Sequence, residues 1–397
     1  MRRPLALGAC ALTTVTMVLT LSRAWRWPND FAEAHWLLDY RFGFVKRGLA
    51  GQLLSSTLRM ARARPTAAIM KVLAIALLVT LAIVLLWTAW QLFRSTTRPA
   101  SALLASLAFV SSPFVVMSAH LAGYLDGIVI LLTVAGVALM IRGRPWSAGV
   151  VQAIAILVHE SAVVVGLPVL CLAWWVSGGK RALPLLLPVV AFVALALSAR
   201  RLPTDFQELY SLHLMNYPFV GGDMHVFVPE WLTPGLAQHL AEQKHHFGER
   251  ISSPPMLGLV LPTVLALLAW AIDACRVRAR SVTMALFIGA TFAPQLMHAA
   301  AWDTMRIWTY SVAMAWLGAW TLARANGADG NVSTGVRILA LLALLINVMS
   351  TTFLLDNLSD HYSLLTRTVL FAPVLVAALV IFLRAEQPTA ERTARPS

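Results

Sequence analysis

Apolar runs separated by polar connections repeat along the whole chain, at residues 4–22, 67–93, 100–118, 122–141, 147–176, 182–199, 254–272, 281–300, 305–323, 336–355 and 364–383. Most approach the roughly 20 residues with which an α-helix crosses a bilayer's hydrocarbon core. Runs of this length, apolar on every face, predict an all-α polytopic transmembrane helix bundle. Two connections are long, 23–66 and 200–253, and the rest are short. No soluble domain and no internal repeat breaks the pattern. The chain therefore reads as one transmembrane domain, 1–397, with two large loops.

Segment 147–176 decides the topology, because it fits one long tilted helix or two short helices turning at Val158-His159-Glu160-Ser161. One helix gives eleven crossings with the termini on opposite sides; a hairpin gives about twelve with both termini together. Lys and Arg gather in cytoplasmic loops. The hairpin puts Arg142 and Arg144, Lys180 and Arg181, and Arg276, Arg278 and Arg280 together in the cytoplasm, with both termini; a single helix would strand the last three outside. The hairpin is the expected form. Its first arm, from Ser147 to Val158, rises only about 18 Å against a core of about 30 Å, so the turn is sunken. All ten histidines then fall on or near the outer face, a convergence of proton-handling groups that chance in histidine placement could also give.

Composition agrees with the pattern. At 59% hydrophobic and 12% charged residues, with mean hydropathy +0.73, the chain is far from a soluble globular protein, where about 25% of residues are charged. The net charge of +13 does not point to nucleic acid, since the cations lie between apolar runs and no basic domain stands apart. Cys10, Cys171 and Cys275 show no metal or disulfide spacing. Met1-Arg2-Arg3 and the following apolar run resemble a signal peptide, but Ser22-Arg23-Ala24-Trp25-Arg26 offers no cleavage site, so a retained first helix is expected.

Candidate chemistry centres on Asp39 to Gly51 in the first long loop. Here Arg41, Lys46 and Arg47 lie among Gly43, Gly48 and Gly51, and glycine lets backbone approach a ligand while Arg and Lys bind phosphate oxygens. The same cations could instead hold anionic lipid headgroups. Beyond Gly48, Leu49, Leu53, Leu54 and Leu58 recur at helical spacing, which predicts a helix in the membrane interface. His159 and Glu160, in the sunken turn, are ionisable groups at membrane depth and hence site candidates, or a charge pair that fixes packing. Asp126, just after His120, is a further candidate or a carboxylate favoured by a helix N-terminus. Asp303 and Arg306 either form a local ion pair or orient and bind a phosphate. The loop 200–253 mixes carboxylates with aromatics, which suits sugar binding; metal binding at His239, His245 and His246 is the alternative. No phosphate loop, dinucleotide fingerprint or nucleophile elbow is present, so no cofactor is expected and a divalent metal is left open.

The layout resembles the GT-C superfamily of polyprenyl-phosphate-dependent glycosyltransferases: inside termini, a long first outer loop with a carboxylate and an interfacial helix, a short hairpin, then a second long loop. The Gly43 to Gly48 stretch also resembles one in bacterial membrane proteins of unassigned activity. The first resemblance implies a multi-pass protein of the bacterial inner membrane that moves a sugar from a lipid-linked donor to an extracytoplasmic acceptor. It implies Asp39 as catalytic base, with Asp30 or Glu33 as substitutes. Arg41, Lys46, Arg47 and Arg306 would hold the donor phosphate, with His120, Asp126, His159, Glu160 and Asp303 lining the site. A polymerase using lipid pyrophosphate and a lipid or solute transporter are the rival expectations.

Overall fold

The computed structural model describes residues 2–96, 98–179, 182–198, 202–277 and 280–386; Lys180, Arg181 and Arg278, used above for orientation, lie outside them. The chain is 76% helix, and the described residues form no strand. It begins with α1 (Arg2–Ser22), α2 (Asp30–His35), α3 (Gly48–Met60) and α4 (Ala67–Arg94). Next come α5 (Pro99–Val110), α6 (Pro113–His120), α7 (Asp126–Ile141), α8 (Pro145–Val158), α9 (Ala162–Val165), α10 (Leu167–Val176) and α11 (Leu186–Ser198). The second long loop is itself helical, as α12 (Phe206–Met215), α13 (Met224–Leu232), α14 (Leu236–Gln243) and α15 (Phe247–Ile251). The chain then runs through α16 (Pro254–Leu259), α17 (Leu261–Ala274), α18 (Ser281–Phe292), α19 (Thr304–Asn326), α20 (Thr334–Met349) and α21 (Leu364–Glu386).

Several of these helices start where proline allows it: Pro99, Pro113 and Pro145 occupy first-turn positions, where the missing N–H costs nothing. Four spans are long and apolar enough to cross a membrane, Ala67–Arg94, Pro99–His120, Ser281–Ala299 and Leu364–Leu383, and several shorter apolar helices accompany them. The apolar helices mark the protein as membrane-embedded. Side chains such as Val79, Val190 and Leu365 are exposed along the bundle's flank, as lipid contact requires.

Helix α19 is the axis, with every residue from Arg306 to Ala323 buried. Trp316 stacks on Phe109 with ring centroids 4.4 Å apart, and its indole N–H donates to Thr88 Oγ1 at 2.8 Å. Asn347 donates to the Ala108 carbonyl at 2.9 Å and to Thr263 Oγ1 at 3.0 Å. Such bonds fix helix neighbours where lipid offers no alternative partner.

The chain does turn back at His159. Helix α8 ends there in an extended residue, and residues at equal distances on either side meet: Gly166 abuts Gln152, and both Ala148 and Leu170 lie against Gly136 of α7. Gln152 donates to the Ala162 carbonyl at 2.9 Å, a bond that ties α8 to α9 across the turn. Any side chain at Gly166 would strike Thr133 and Gln152.

The two long loops pack on each other over this end of the bundle. Leu37, Leu38 and Val45 from the first join Phe206, Tyr210 and Val228 from the second in a separate small core. Gly51 lets α3 rest directly on the backbone at Leu38, where a Cβ would overlap the carbonyl. On the other flank Arg23, fully buried, donates to Asp360 at 2.8 Å and to the Asn347 carbonyl at 2.7 Å, clasping α1 to the segment before α21.

Candidate functional site

Beneath the paired loops lies a cavity of about 300 Å³. Its polar end holds Lys46, Arg47, His159, Glu160, His239 and Arg306. The remaining wall is apolar: Val163 and Val164 of α9, Phe192 and Leu195 of α11, and Leu296 and Met297 of the turn before α19. Leu236 and Leu240 of α14 cover it from the loop side.

Arg47 is the hinge of the polar end. Its Nη2 donates to Glu160 Oε1 at 2.6 Å, and its Nε reaches both carboxylate oxygens at 3.1 Å. Nη1 donates to His35 Nε2 at 3.0 Å; His35 is held in the matching tautomer because its Nδ1 donates to the Phe31 carbonyl at 2.7 Å. Burial, with the Arg47 charge beside it, pushes His35 down to about 3, so it stays a neutral acceptor. The Arg47 backbone has φ 66°, a left-handed conformation rare outside glycine. A strained non-glycine residue whose guanidinium spans two distant elements is a frequent mark of a functional position. The turn after α8 supplies Glu160, and His159 Nδ1 accepts from the Ser161 N–H at 3.1 Å, which fixes the turn.

Lys46 donates to His239 Nε2 at 3.1 Å and to the Pro234 carbonyl at 3.3 Å. Burial, opposed by the Glu160 charge and helped by Arg47, pushes its ammonium down to about 8. His239 stacks against Trp231, with centroids 5.8 Å apart. The His239, His245 and His246 alternative for a metal is not what the folding produces: His246 faces Glu249 at 3.5 Å, and no three potential ligands cluster among the described residues.

Arg306, in the first turn of α19, pairs with Asp303 at 2.9 Å and with Asp126 of α7 at 3.7 Å. It lines the large cavity, and with Asp126 it also lines a second, apolar slot on the other side. Both carboxylate oxygens of Asp126 are buried and accept no hydrogen bond of good geometry. The folding thus brings together Lys46, Arg47, Arg306, Asp126, His159, Glu160 and Asp303, which the sequence scatters over four separate stretches.

The expected base and its substitutes sit elsewhere. Asp39 is buried in the loop core and gripped by Arg41, Oδ1 to Nε at 2.8 Å and Oδ2 to Nη2 at 2.7 Å. Burial alone would raise its carboxyl, but the hydrogen bonds and charge of Arg41 hold it below the usual range. Arg41 is spent there as well, donating its Nη1 to His213 Nδ1 at 3.0 Å, and Tyr210 bonds the Asp39 backbone. Asp30 lies against Gly221 of the second loop. Glu33 is buried in α2, where burial and the neighbouring Asp30 push it up to about 7. None of these residues lines the cavity. His120 ends α6 with its Nδ1 buried and unbonded, away from the cavity.

Two contributors were hidden in the sequence. The sequence does not single out His35 or Tyr310; the fold sets His35 against Arg47 and Tyr310 beside Asp126. Compared with known protein families and with curated proteins, the sequence matches none.

Proposed function

We propose that the protein is a membrane glycosyltransferase of GT-C-like layout, with about twelve crossings and both termini cytoplasmic, which transfers a sugar from a polyprenyl-phosphate donor to an extracytoplasmic acceptor. One observation carries this reading: a single cavity is lined both by Lys46, Arg47 and Arg306 and by apolar side chains from α9, α11 and the turn before α19. A lipid phosphate has that division of chemistry. Its anion suits the guanidinium forks and the ammonium, and its isoprenoid chain suits the lipid-facing wall.

The residues would divide the work by geometry. Lys46, Arg47 and Arg306 hold the phosphate and stabilise the charge that grows on it as the glycosidic bond breaks. Asp126 takes the acceptor proton. Glu160 is tied by three contacts to Arg47 and Asp303 by Arg306 at 2.9 Å, whereas Asp126 is the least tightly held, meeting Arg306 only at 3.7 Å with the Tyr310 hydroxyl beside it. Arg41 and Asp39 serve the loop core, whose packing lays the second loop over the cavity. The test is mass spectrometry of lipid-linked sugars and envelope glycans from cells with and without the protein, complemented by wild type and by Arg47→Ala. A donor that accumulates in the null and Arg47→Ala cells, with loss of one glycan, supports the reading; identical profiles in all strains refute it.

A further inference from the structure

We infer that the apolar slot on the far side of Arg306 binds a second amphiphile, a membrane lipid with a free hydroxyl, and that this lipid is the acceptor in the transfer proposed above, on which the second half of the inference rests. The slot lies between α4, α6, α7 and α19, with Leu77, Leu81, Phe114, Met117 and Ile130 as its sides. At its floor are Asp126, Arg306 and Tyr310. These three are 9%, 7% and 2% exposed and lie beside one another, Arg306 reaching Asp126 only at 3.7 Å and the Tyr310 hydroxyl facing the same carboxylate, yet no hydrogen bond of good geometry satisfies the two Asp126 oxygens, the Arg306 Nε or the Tyr310 hydroxyl. Buried polar atoms are nearly always bonded, so several orphans at one floor mark a place for a ligand or an ordered water.

The chemistry of the floor selects a hydroxyl. An alcohol donates its hydrogen to the Asp126 carboxylate and accepts from the Arg306 Nε–H or the Tyr310 O–H, meeting both kinds of orphan at once. A second phosphate suits it poorly, because the Asp126 carboxylate in the slot would repel it and, among the described residues, no Lys or Arg besides the shared Arg306 lines this slot. The enclosed part measures about 30 Å³, room for the polar tip only, so the stem must lie in the open groove between α4 and α7. Its mouth lies at Leu77 of α4 and Gly127 of α7, both part-exposed on the flank of the bundle. Gly127 forms its edge, where a Cβ would sit 3.2 Å from Leu77.

Because Arg306 lines both the slot and the large cavity, donor phosphate and acceptor hydroxyl would meet across it. In the transfer, the acceptor oxygen bonds to the sugar carbon and its proton passes to Asp126. The bond from that carbon to the phosphate oxygen breaks, and its electron pair leaves on the phosphate.

The experiment uses the purified full chain in lipid nanodiscs with a diazirine-bearing long-chain alcohol and, in parallel, its methyl ether, which cannot donate. Peptides of α4 and α7 should be labelled by the alcohol about tenfold more than by the ether, the effect of one lost hydrogen bond. Gly127→Leu and, independently, Leu81→Trp should abolish that labelling while the protein keeps its elution volume and its binding of a short-chain prenyl phosphate. Equal labelling by alcohol and ether, or labelling that survives both fillings, would overturn the inference and leave water as the floor's occupant. Labelling that persists in Arg47→Ala, in a strain with unchanged glycans, would keep the lipid site and discard the transferase reading, so the two fail separately.

Discussion

Removing the charge of Glu160 should move stability and ligand affinity in opposite directions. Arg47 and Glu160 meet at 2.6 Å, with side chains 17% and 30% exposed. The pair therefore lies between exposed ion pairs, worth about 0–1 kcal/mol, and buried ones, where loss of a partner costs about 3–5 kcal/mol. In Glu160→Gln the amide oxygen can still accept from Arg47, so a stability loss of about 1–2 kcal/mol is expected after allowing for solvent screening. For the ligand the sign reverses. A phosphate held about 8 Å from the carboxylate is repelled by about 2 kcal/mol at an effective dielectric constant of 20, so its removal should tighten binding about thirtyfold. The measurement is tryptophan-fluorescence titration with a short-chain prenyl phosphate, beside thermal unfolding of the same sample. A backbone control accompanies it: at φ 66°, Arg47→Gly should be more stable than Arg47→Ala by about 1 kcal/mol, and both should lose binding. Weaker binding in Glu160→Gln would refute the reasoning, since the acid would then be holding the ligand rather than competing with it for Arg47.

Two further outcomes follow from the same geometry. Lys46 titrates near 8 in the folded chain, below its unfolded value of about 10.4, so between those values the unfolded chain binds more protons. This group's contribution to stability therefore rises with pH across that window, while affinity for the prenyl phosphate falls above about pH 8 as the ammonium discharges; Lys46→Arg should flatten the fall, measured as dissociation constants from pH 7 to 10. Asp39→Asn breaks the Arg41 grip and should lower the yield of folded protein with near-normal specific activity, whereas Asp126→Asn should fold and lose about 10²–10⁴-fold in transfer rate. The reverse ranking in a transfer assay would return the base to the first loop.

What the sequence made legible follows from local physics. The helix ends at Ser22, Arg94 and Ile141 follow the apolar runs. The turn at His159 was readable because a hairpin there keeps the Arg and Lys clusters of the short loops on one side, and α3 because the leucines after Gly48 keep a helical period. Pairing was not legible, because charge partners lie far apart in the chain: Arg47 meets an acid 113 residues on, and Lys46 a histidine 193 residues on. Nothing near Arg47 says whether its guanidinium faces water, a headgroup or Glu160. Asp39 illustrates the opposite failure: its partner is only two residues away, and a carboxylate beside an arginine reads equally as a poised base or a closed pair. The helices of the second loop escaped notice because carboxylates and aromatics there alternate without a long apolar period.

The charge content of the polar floor bears on which lipid donor it suits. Lys46, Arg47 and Arg306 stand against Glu160, Asp126 and Asp303, and the histidine that touches Arg47 is neutral. An empty site at membrane depth is best kept without net charge, since an uncompensated ion there is costly. A phosphodiester brings one negative charge, and the floor can meet it by letting Arg47 turn from Glu160 while His35 still holds its Nη1. A pyrophosphate brings at least two, and the second falls to Arg306, which Asp126 and Asp303 already flank, or to Lys46, whose charge is weakened by burial. The balance therefore favours a transferase fed by a lipid monophosphate over a polymerase fed by a lipid pyrophosphate. On the proposed function, the acid partners of the arginines keep the site neutral until the donor anion draws a guanidinium away.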